Sequence, residues 1–442
     1  MHTEAVETIV IGGGQSGLAM SYYLTAQGRQ HLVLEQAQVG ESWRNKRWDS
    51  LRLVGPNWTL QLPGFPYQDN DADGFMTRDE IVAYLEHYKQ FVKPPLREGV
   101  RVTAVEQQPD GAGLLVRTET MLFQATQVVV ATGAYQHPRI PVCSANLPDH
   151  LRQLTPSHYR RPAALPPGAV LVVGSGESGC QIAEELRRSG RTVYLSVGRG
   201  WWVPRRYRGK DIVWWIDALG GFDQTVDTLP GGHAKVAAPG PQLTGANGGH
   251  DLNLHTLARA GVVLAGHLQG VQAGKLSFAP DLEANIASAD AQAASFLQAI
   301  DDFVETHGLD VPTEAHPVDL HSTRHQMDNV LHELDLGRSN VTSIIWATGY
   351  HLNLNWIHLP VLDQDGYPTH HRGVSTWPGL YFLGFEWLYK GKSHLFNGVG
   401  DDAAYLAEKI AVRATATSLK SSSASSTSLA LERSAPSLPK SD

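Results

Sequence analysis

Cysteine is nearly absent from this chain: 442 residues include only Cys143 and Cys180, and no CxxC pair. That scarcity argues against a disulfide framework and against a thiol–disulfide redox centre, leaving two packed thiols as the expectation. No apolar run reaches 18 residues, so no segment is predicted to span a bilayer. The start, Met1-His2-Thr3-Glu4, lacks a basic stretch ahead of a long apolar one, which predicts a cytoplasmic protein. Positive charge is in deficit, with 36 Lys and Arg against 44 Asp and Glu. The net charge of −8 disfavours nucleic acid and membrane surfaces as partners. The 20 histidines form no HExxH pattern, and no metal is expected.

What the chain does contain is internal repetition. Thr8–Gly17, TIVIGGGQSG, resembles Val170–Gly179, VLVVGSGESG. Each is a short apolar run, then G-x-G-x-x-G, then an apolar-periodic helix. A second phrase also recurs: VVVATGA ends at Ala134 and IIWATGY at Tyr350. The order of signatures predicts an α/β fold with two Rossmann-like dinucleotide-binding domains, the second inserted into the first. The expected boundaries are 1–160 and 339–413 for the outer domain and 161–338 for the insert. A Ser-rich tail, 414–442, is expected to be disordered. Thr77 and Glu80 form a capping-box pattern that opens a helix through about Phe91. Val100, Val102 and Ala104 alternate as a strand, and Pro109-Asp110-Gly111 reads as a turn. Leu229–Gly249 reads as a long loop, and the alanine-rich stretch 281–305 as a helix.

The glycine loops carry the chemistry. In the first, Gly12 permits a tight turn, Gly14 lets backbone approach a pyrophosphate, and Gly17 allows close packing of helix on strand. The following helix offers amides and a positive dipole end to phosphate. Glu35 closes the next strand, where a carboxylate accepts hydrogen bonds from a ribose diol. Gly174, Gly176 and Gly179 repeat the pattern, with Glu177 and Ser178 inside it. Here the next strand runs into Gly198-Arg199, then Arg205, Arg206 and Arg208. An acid there would repel a 2′-phosphate and an arginine can clamp it, so Arg199 and Arg205 predict NADPH over NADH.

The succession GGGQSG, ESWRNKRWDSLRL, ATGAYQHPRIP, GSGESG and WATGY resembles the flavin-containing monooxygenases over about residues 7–412. It is close to their bacterial FAD-dependent oxidoreductase branch and similar to the plant auxin-forming enzymes. The resemblance implies FAD contacts from Gly12, Gly14, Gln15, Ser16, Glu35, Ser42, Trp43 and Val102. It implies that Ala131-Thr132-Gly133 and Ala347-Thr348-Gly349 mark the passages between domains. GVGDDAAYLAEKI looks like the family's last FAD segment, with Gly400 and Asp401 at a helix start aimed at the isoalloxazine. The implied reaction takes hydride from NADPH, forms a flavin C4a-(hydro)peroxide with O2, and gives one oxygen atom to a small organic substrate. The alternative is an NADPH reductase or dehydrogenase with an acceptor other than oxygen. A homodimer is left open.

The chain departs from the family pattern twice. Of the fingerprint F-x-G-x-x-x-H-x-x-x-Y only Tyr159 matches, since Asp149, Leu151 and Thr155 hold the other positions. Where relatives place Asn before Gly-Pro, this chain has Val54 before Gly55-Pro56, with Asn57 just after. Asn57 is therefore the candidate catalytic side chain.

Overall fold

The computed structural model describes residues 2–109, 111, 113–229, 240–313 and 330–432, with backbone alone for 2 and 417–432. Asp110 of the expected turn, 230–239 of the expected loop and 433–442 of the expected tail lie outside the described residues.

The outer sheet starts with β1 (His2–Ile11), β2 (His31–Leu34), β3 (Leu96–Arg97), β4 (Val102–Gln107), β5 (Leu114–Thr118) and β6 (Met121–Val130). β1 pairs in parallel with β2 and β6, and β2 with β3; β4 and β5 form an antiparallel ribbon on the edge of β6. Ile9, Val10, Ile11, Val128, Val129 and Val130 are buried, because the sheet is covered on both faces. Continuous apolar runs are what such a position selects.

The chain then builds a second parallel sheet from β7 (Arg152–Leu154), β8 (Ala169–Val173), β9 (Val193–Ser196), β10 (Val263–Ala265) and β11 (Val341–Trp346), in the order β7-β11-β8-β9-β10. It returns with β12 (His370–His371), β13 (Val374–Ser375) and β14 (Leu380–Phe382), and β14 joins β6 in parallel. In chain order the second sheet falls between β6 and β14 of the first, and two of its strands lie outside the expected 161–338. β7 lies before residue 161 and β11 after 338, and both pair within the inserted sheet. The physical reason is that strands need partners on both sides: β11 lies between β7 and β8 in the second sheet, just as β6 lies between β1 and β14 in the first.

Eight α-helices join the sheets in the described fold: α1 (Gln15–Ala26), α2 (Glu41–Asn45), α3 (Arg78–Val92), α4 (Glu177–Arg188), α5 (Ile212–Ala218), α6 (Leu254–Arg259), α7 (Leu282–His307) and α8 (Val399–Glu432). α3 opens with the expected box: the Thr77 amide donates to Glu80 Oε2 at 2.7 Å and the Glu80 amide to Thr77 Oγ1 at 3.2 Å. α1 and α8 share one core through Leu18, Ala19, Ala403 and Leu406. α8 corrects the expectation of disorder after 413, because its backbone continues as helix to Glu432. Neither Gly nor Pro occurs between Gly400 and Pro436, so nothing local breaks the helix. Among the described residues, no helix is long and apolar enough to cross a membrane.

Candidate cofactor and active site

The two glycine loops have the same build. The Gly12 amide donates to Leu34 O, and the Gly174 amide to Ser196 O. Gly12 has φ +112° and Gly174 φ +104°, both in the region that favours glycine. A Cβ on Gly12 would run into the carbonyl oxygen of Ala131, and one on Gly174 into that of Ala347. Gly17 packs in turn against the Gly12 carbonyl, and Gly179 against that of Gly174. The Ala-Thr-Gly phrases thus recur because each supplies the carbonyl wall behind a glycine loop.

The middle glycines differ in kind. Nothing lies within 4 Å of a Cβ built on Gly14 or Gly176. Each faces open space at the start of a helix, α1 or α4, whose first amides have no intrahelical acceptor. The residues therefore fit a dinucleotide at both loops: the space that a side chain would fill is left for a diphosphate, at the carboxyl ends of parallel strands.

Register aligns Leu34 with Ser196, so Glu35 corresponds to Val197. Glu35 is 8% exposed; its Oε2 accepts from the Gly13 amide at 2.7 Å and its Oε1 from the Ala37 amide at 2.9 Å. Gly13 is a site residue the sequence reading passed over: a Cβ there would stand 2.9 Å from Glu35 Cβ. Val197 is fully buried and carries no acid, and Arg199 two residues on is exposed. Ser175 Oγ accepts from the Gly198 amide at 3.3 Å, which ties the Arg199 turn to the second loop.

Other expected residues gather round the first loop. Gln15 Nε2 donates to His394 O at 2.6 Å, and Ser16 abuts Gly384, so the C-terminal segment closes over the start of α1. Ser42 and Trp43 lie on α2, with the Trp43 ring 6.0 Å from that of Phe396. Val102 begins β4, two residues after the Val100 amide reaches Glu35 O. Thr132 Oγ1 accepts from Gln136 at 2.9 Å, and Thr348 Oγ1 donates to Arg139 O. Gly400 sits 3.0 Å, as a built Cβ, from Pro63, and Asp401 lies 3.6 Å from Lys392 Nζ. Ser178 lies in the first turn of α4.

Two expected assignments are overturned. Arg205 is 1% exposed and its guanidinium is spent inside the protein. It forks onto Asp211 (Nε to Oδ2 2.8 Å), donates to Val54 O at 2.9 Å and lies 4.6 Å over the Phe75 ring. A buried guanidinium needs such partners, and none of its fork is left for a 2′-phosphate. Asn57 is 4% exposed; its Oδ1 accepts from the Met76 amide at 2.8 Å, and its Nδ2 donates to Asp71 O at 2.9 Å. Its amide pins the 71–76 segment and is not free to serve a reaction. Tyr159 is likewise structural, buried with its hydroxyl donating to Glu185 at 2.7 Å.

The structure assembles a polar cleft that the sequence reading had not singled out. Tyr135 and Tyr350, each following an Ala-Thr-Gly phrase, meet with ring centroids 5.6 Å apart. Arg47 lies 5.9 Å from the Tyr135 ring, and the His394 ring lies 6.3 Å from it. Although Tyr135 is 45% exposed, enclosure of its phenol and then the nearby Glu386 carboxylate raise it well above its ordinary value. Burial raises Tyr350 and lowers His394. The Glu177 carboxyl in α4 is pushed up to about 7 by burial, against the pull of Arg47 and Arg205. The available signal was the tyrosine repeated after Ala-Thr-Gly. By contrast, a cavity of about 440 Å³ lined by Gly168, Gly190, Thr192 and Asn340 opens at the opposite, amino-terminal end of β8 and β11. It is remote from both loops.

Cys143 and Cys180 are both free thiols. Cys180 is buried in α4 with Sγ 3.3 Å from Ser175 O, and burial pushes its thiol up. Neither belongs to a dithiol centre.

Residues 9–216 match the family described as pyridine nucleotide-disulphide oxidoreductase. A CzcO-like oxidoreductase of Geobacillus kaustophilus is 34% identical over 411 residues, covering 92% of this chain and 98% of the relative. A flavin-containing monooxygenase from Stenotrophomonas maltophilia superposes with a TM-score of 0.62 at 20% identity, over 92% of this chain and 99% of that one. OTEMO, solved in complex with FAD and NADP, gives a TM-score of 0.55 at 17% identity, over 93% of this chain and 86% of that one. With the paired glycine loops and their Ala-Thr-Gly walls, the match along nearly the whole chain shows that the protein belongs to the CzcO-like oxidoreductases, on a fold shared with flavin-containing monooxygenases.

Proposed function

We propose that the protein is an NADPH-dependent flavin monooxygenase, built from an FAD-binding outer domain and an inserted NADPH-binding domain. The observation that carries this reading is the pair of like-built loops with unlike neighbours: Glu35 beside the first and Val197-Gly198-Arg199 beside the second. The carboxylate suits the ribose diol of FAD, and the exposed arginine suits a 2′-phosphate.

The chemistry supplied by bound FAD is hydride acceptance from NADPH and activation of O2. The net change is substrate + NADPH + H⁺ + O2 to oxygenated substrate + NADP⁺ + H2O. The protein's own part is positional. The Gly14 and Gly176 loops would hold the two diphosphates at the starts of α1 and α4. Tyr135, Tyr350 and His394 wall the space between them. Both phenols are raised and the imidazole is lowered, so all three stay neutral at pH 7 and can serve as uncharged donors and acceptors.

The test is turnover of the purified protein with NADPH under ¹⁸O2 across amines, sulfides and ketones. One ¹⁸O atom in a product is expected. NADPH loss that yields only hydrogen peroxide with every substrate, or only a reduced acceptor without oxygen, overturns the assignment.

A further inference from the structure

Arg47 belongs to the outer domain, in a stretch that lies along α4 of the insert. Trp48 and Leu51 pack with Ile182, Ala183 and Leu186, and Ser50 Oγ donates to Glu185 at 2.7 Å. These contacts run along the middle of α4 and leave Arg47 toward its first turn, where it is the foremost cationic influence on Glu177. Its guanidinium stacks 5.4 Å from the Trp43 ring and 5.9 Å from the Tyr135 ring, which fixes the fork between two aromatic side chains.

Among the described residues no carboxylate lies within 4.0 Å of Arg47, and its own hydrogen bond goes to Lys46 O at 2.9 Å. A half-buried guanidinium held in place, with no counter-ion among the described residues, is suited to an anion that arrives with a ligand. The neighbouring features choose the anion. Gly176 leaves open space at the start of α4, and the helix amides there favour phosphate. Glu177 places a carboxyl beside that space, so a diphosphate needs a compensating cation from outside the loop. We propose that Arg47 reaches across from the FAD domain to bind the diphosphate of NADPH held on the second loop. This rests on the reading of that loop as the NADPH site. The two domains are then linked through the nucleotide, and Arg47 and Arg199 divide its recognition: one reads what NADPH and NADH share, the other what distinguishes them.

The experiment is calorimetric titration of NADP⁺ and of NAD⁺ into the flavin-loaded protein. Arg47→Gln should weaken both nucleotides about ten- to a hundredfold, by the loss of a charge-assisted pair. Arg199→Ala should weaken NADP⁺ alone. Arg47→Lys, whose stem still covers the two rings, should weaken both several-fold and carries the test if the Gln variant loses its flavin. Unchanged affinity in the Arg47 variants overturns the proposal, as does a loss confined to NADP⁺. Wild-type protein that binds neither nucleotide overturns the NADPH reading itself, a result distinct from failure of Arg47 alone.

Discussion

The Glu35 carboxylate accepts the Gly13 amide at 2.7 Å, so the acid that closes β2 also holds the first glycine loop in shape. Loop and strand end form one unit, in which glycines with different surroundings should respond differently to substitution.

Gly14→Val should yield folded, colourless protein. Gly14 has an ordinary extended backbone (φ −78°, ψ −170°), and its Cβ would meet only open space, the space assigned to the diphosphate. Gly17→Ala should fail to fold, because its Cβ would run into the Gly12 carbonyl. Absorbance near 450 nm and circular dichroism of both variants check this. A yellow Gly14→Val protein at full flavin stoichiometry would sink the FAD assignment.

The two arginines after β9 should part company. Arg199→Ala is expected to raise KM for NADPH roughly ten- to a hundredfold, with NADH and melting temperature little changed. Arg205→Ala should instead destabilise the fold by about 3–5 kcal/mol, since it strands Asp211 in a buried pair. Nucleotide kinetics and thermal melts of both variants decide it; a nucleotide effect from Arg205→Ala at unchanged stability would contradict the structural role.

Asn57→Ala should act on stability and not on coupling. It removes the partner of the Met76 amide, at about 1–3 kcal/mol if that amide is left unsatisfied, whereas Asp71 O belongs to an exposed residue and can turn to water. A melt several degrees lower is expected, with the ratio of product to NADPH consumed preserved. Hydrogen peroxide release rising in a variant of intact stability would return Asn57 to the reaction.

Glu177 predicts a pH dependence. Its folded carboxyl titrates at about 7 against an ordinary 4.5, with Arg47, Arg205 and the Tyr135 phenol as charged or titratable neighbours. The folded protein keeps a proton that the unfolded chain has released, so this group costs stability as pH rises from about 4.5 to 7. Glu177→Gln should therefore raise the melting temperature of flavin-loaded protein at pH 8 and leave it unchanged at pH 4.5. An equal shift at both values would show that titration is not the cause.

Much of the fold was legible because its signals are local. The runs 9–11 and 170–173 are apolar without alternation, as strands buried on both faces require. The Thr77–Glu80 box is a contact three residues long, and the structure contains it as read. The boundaries of the insert were not legible. β7 and β11 are ordinary short strands whose sheet is chosen by partners far along the chain.

The sequence by itself determined where two dinucleotide-type loops stand, since glycine at fixed spacing reports backbone conformation and close approach directly. It also excluded a CxxC pair, since the two cysteines stand 37 residues apart, whereas the tertiary structure places them in different cores. Only the tertiary structure decided which charged and polar side chains remain available. Arg205 and Arg199 look alike six residues apart, yet one is captured by Asp211 and the other faces outward. Asn57 and Arg47 reverse their apparent importance for the same reason: an amide is spent on neighbouring backbone, and a guanidinium with no carboxylate partner among the described residues is held between Trp43 and Tyr135. Availability depends on long-range neighbours, and a residue's type does not encode them.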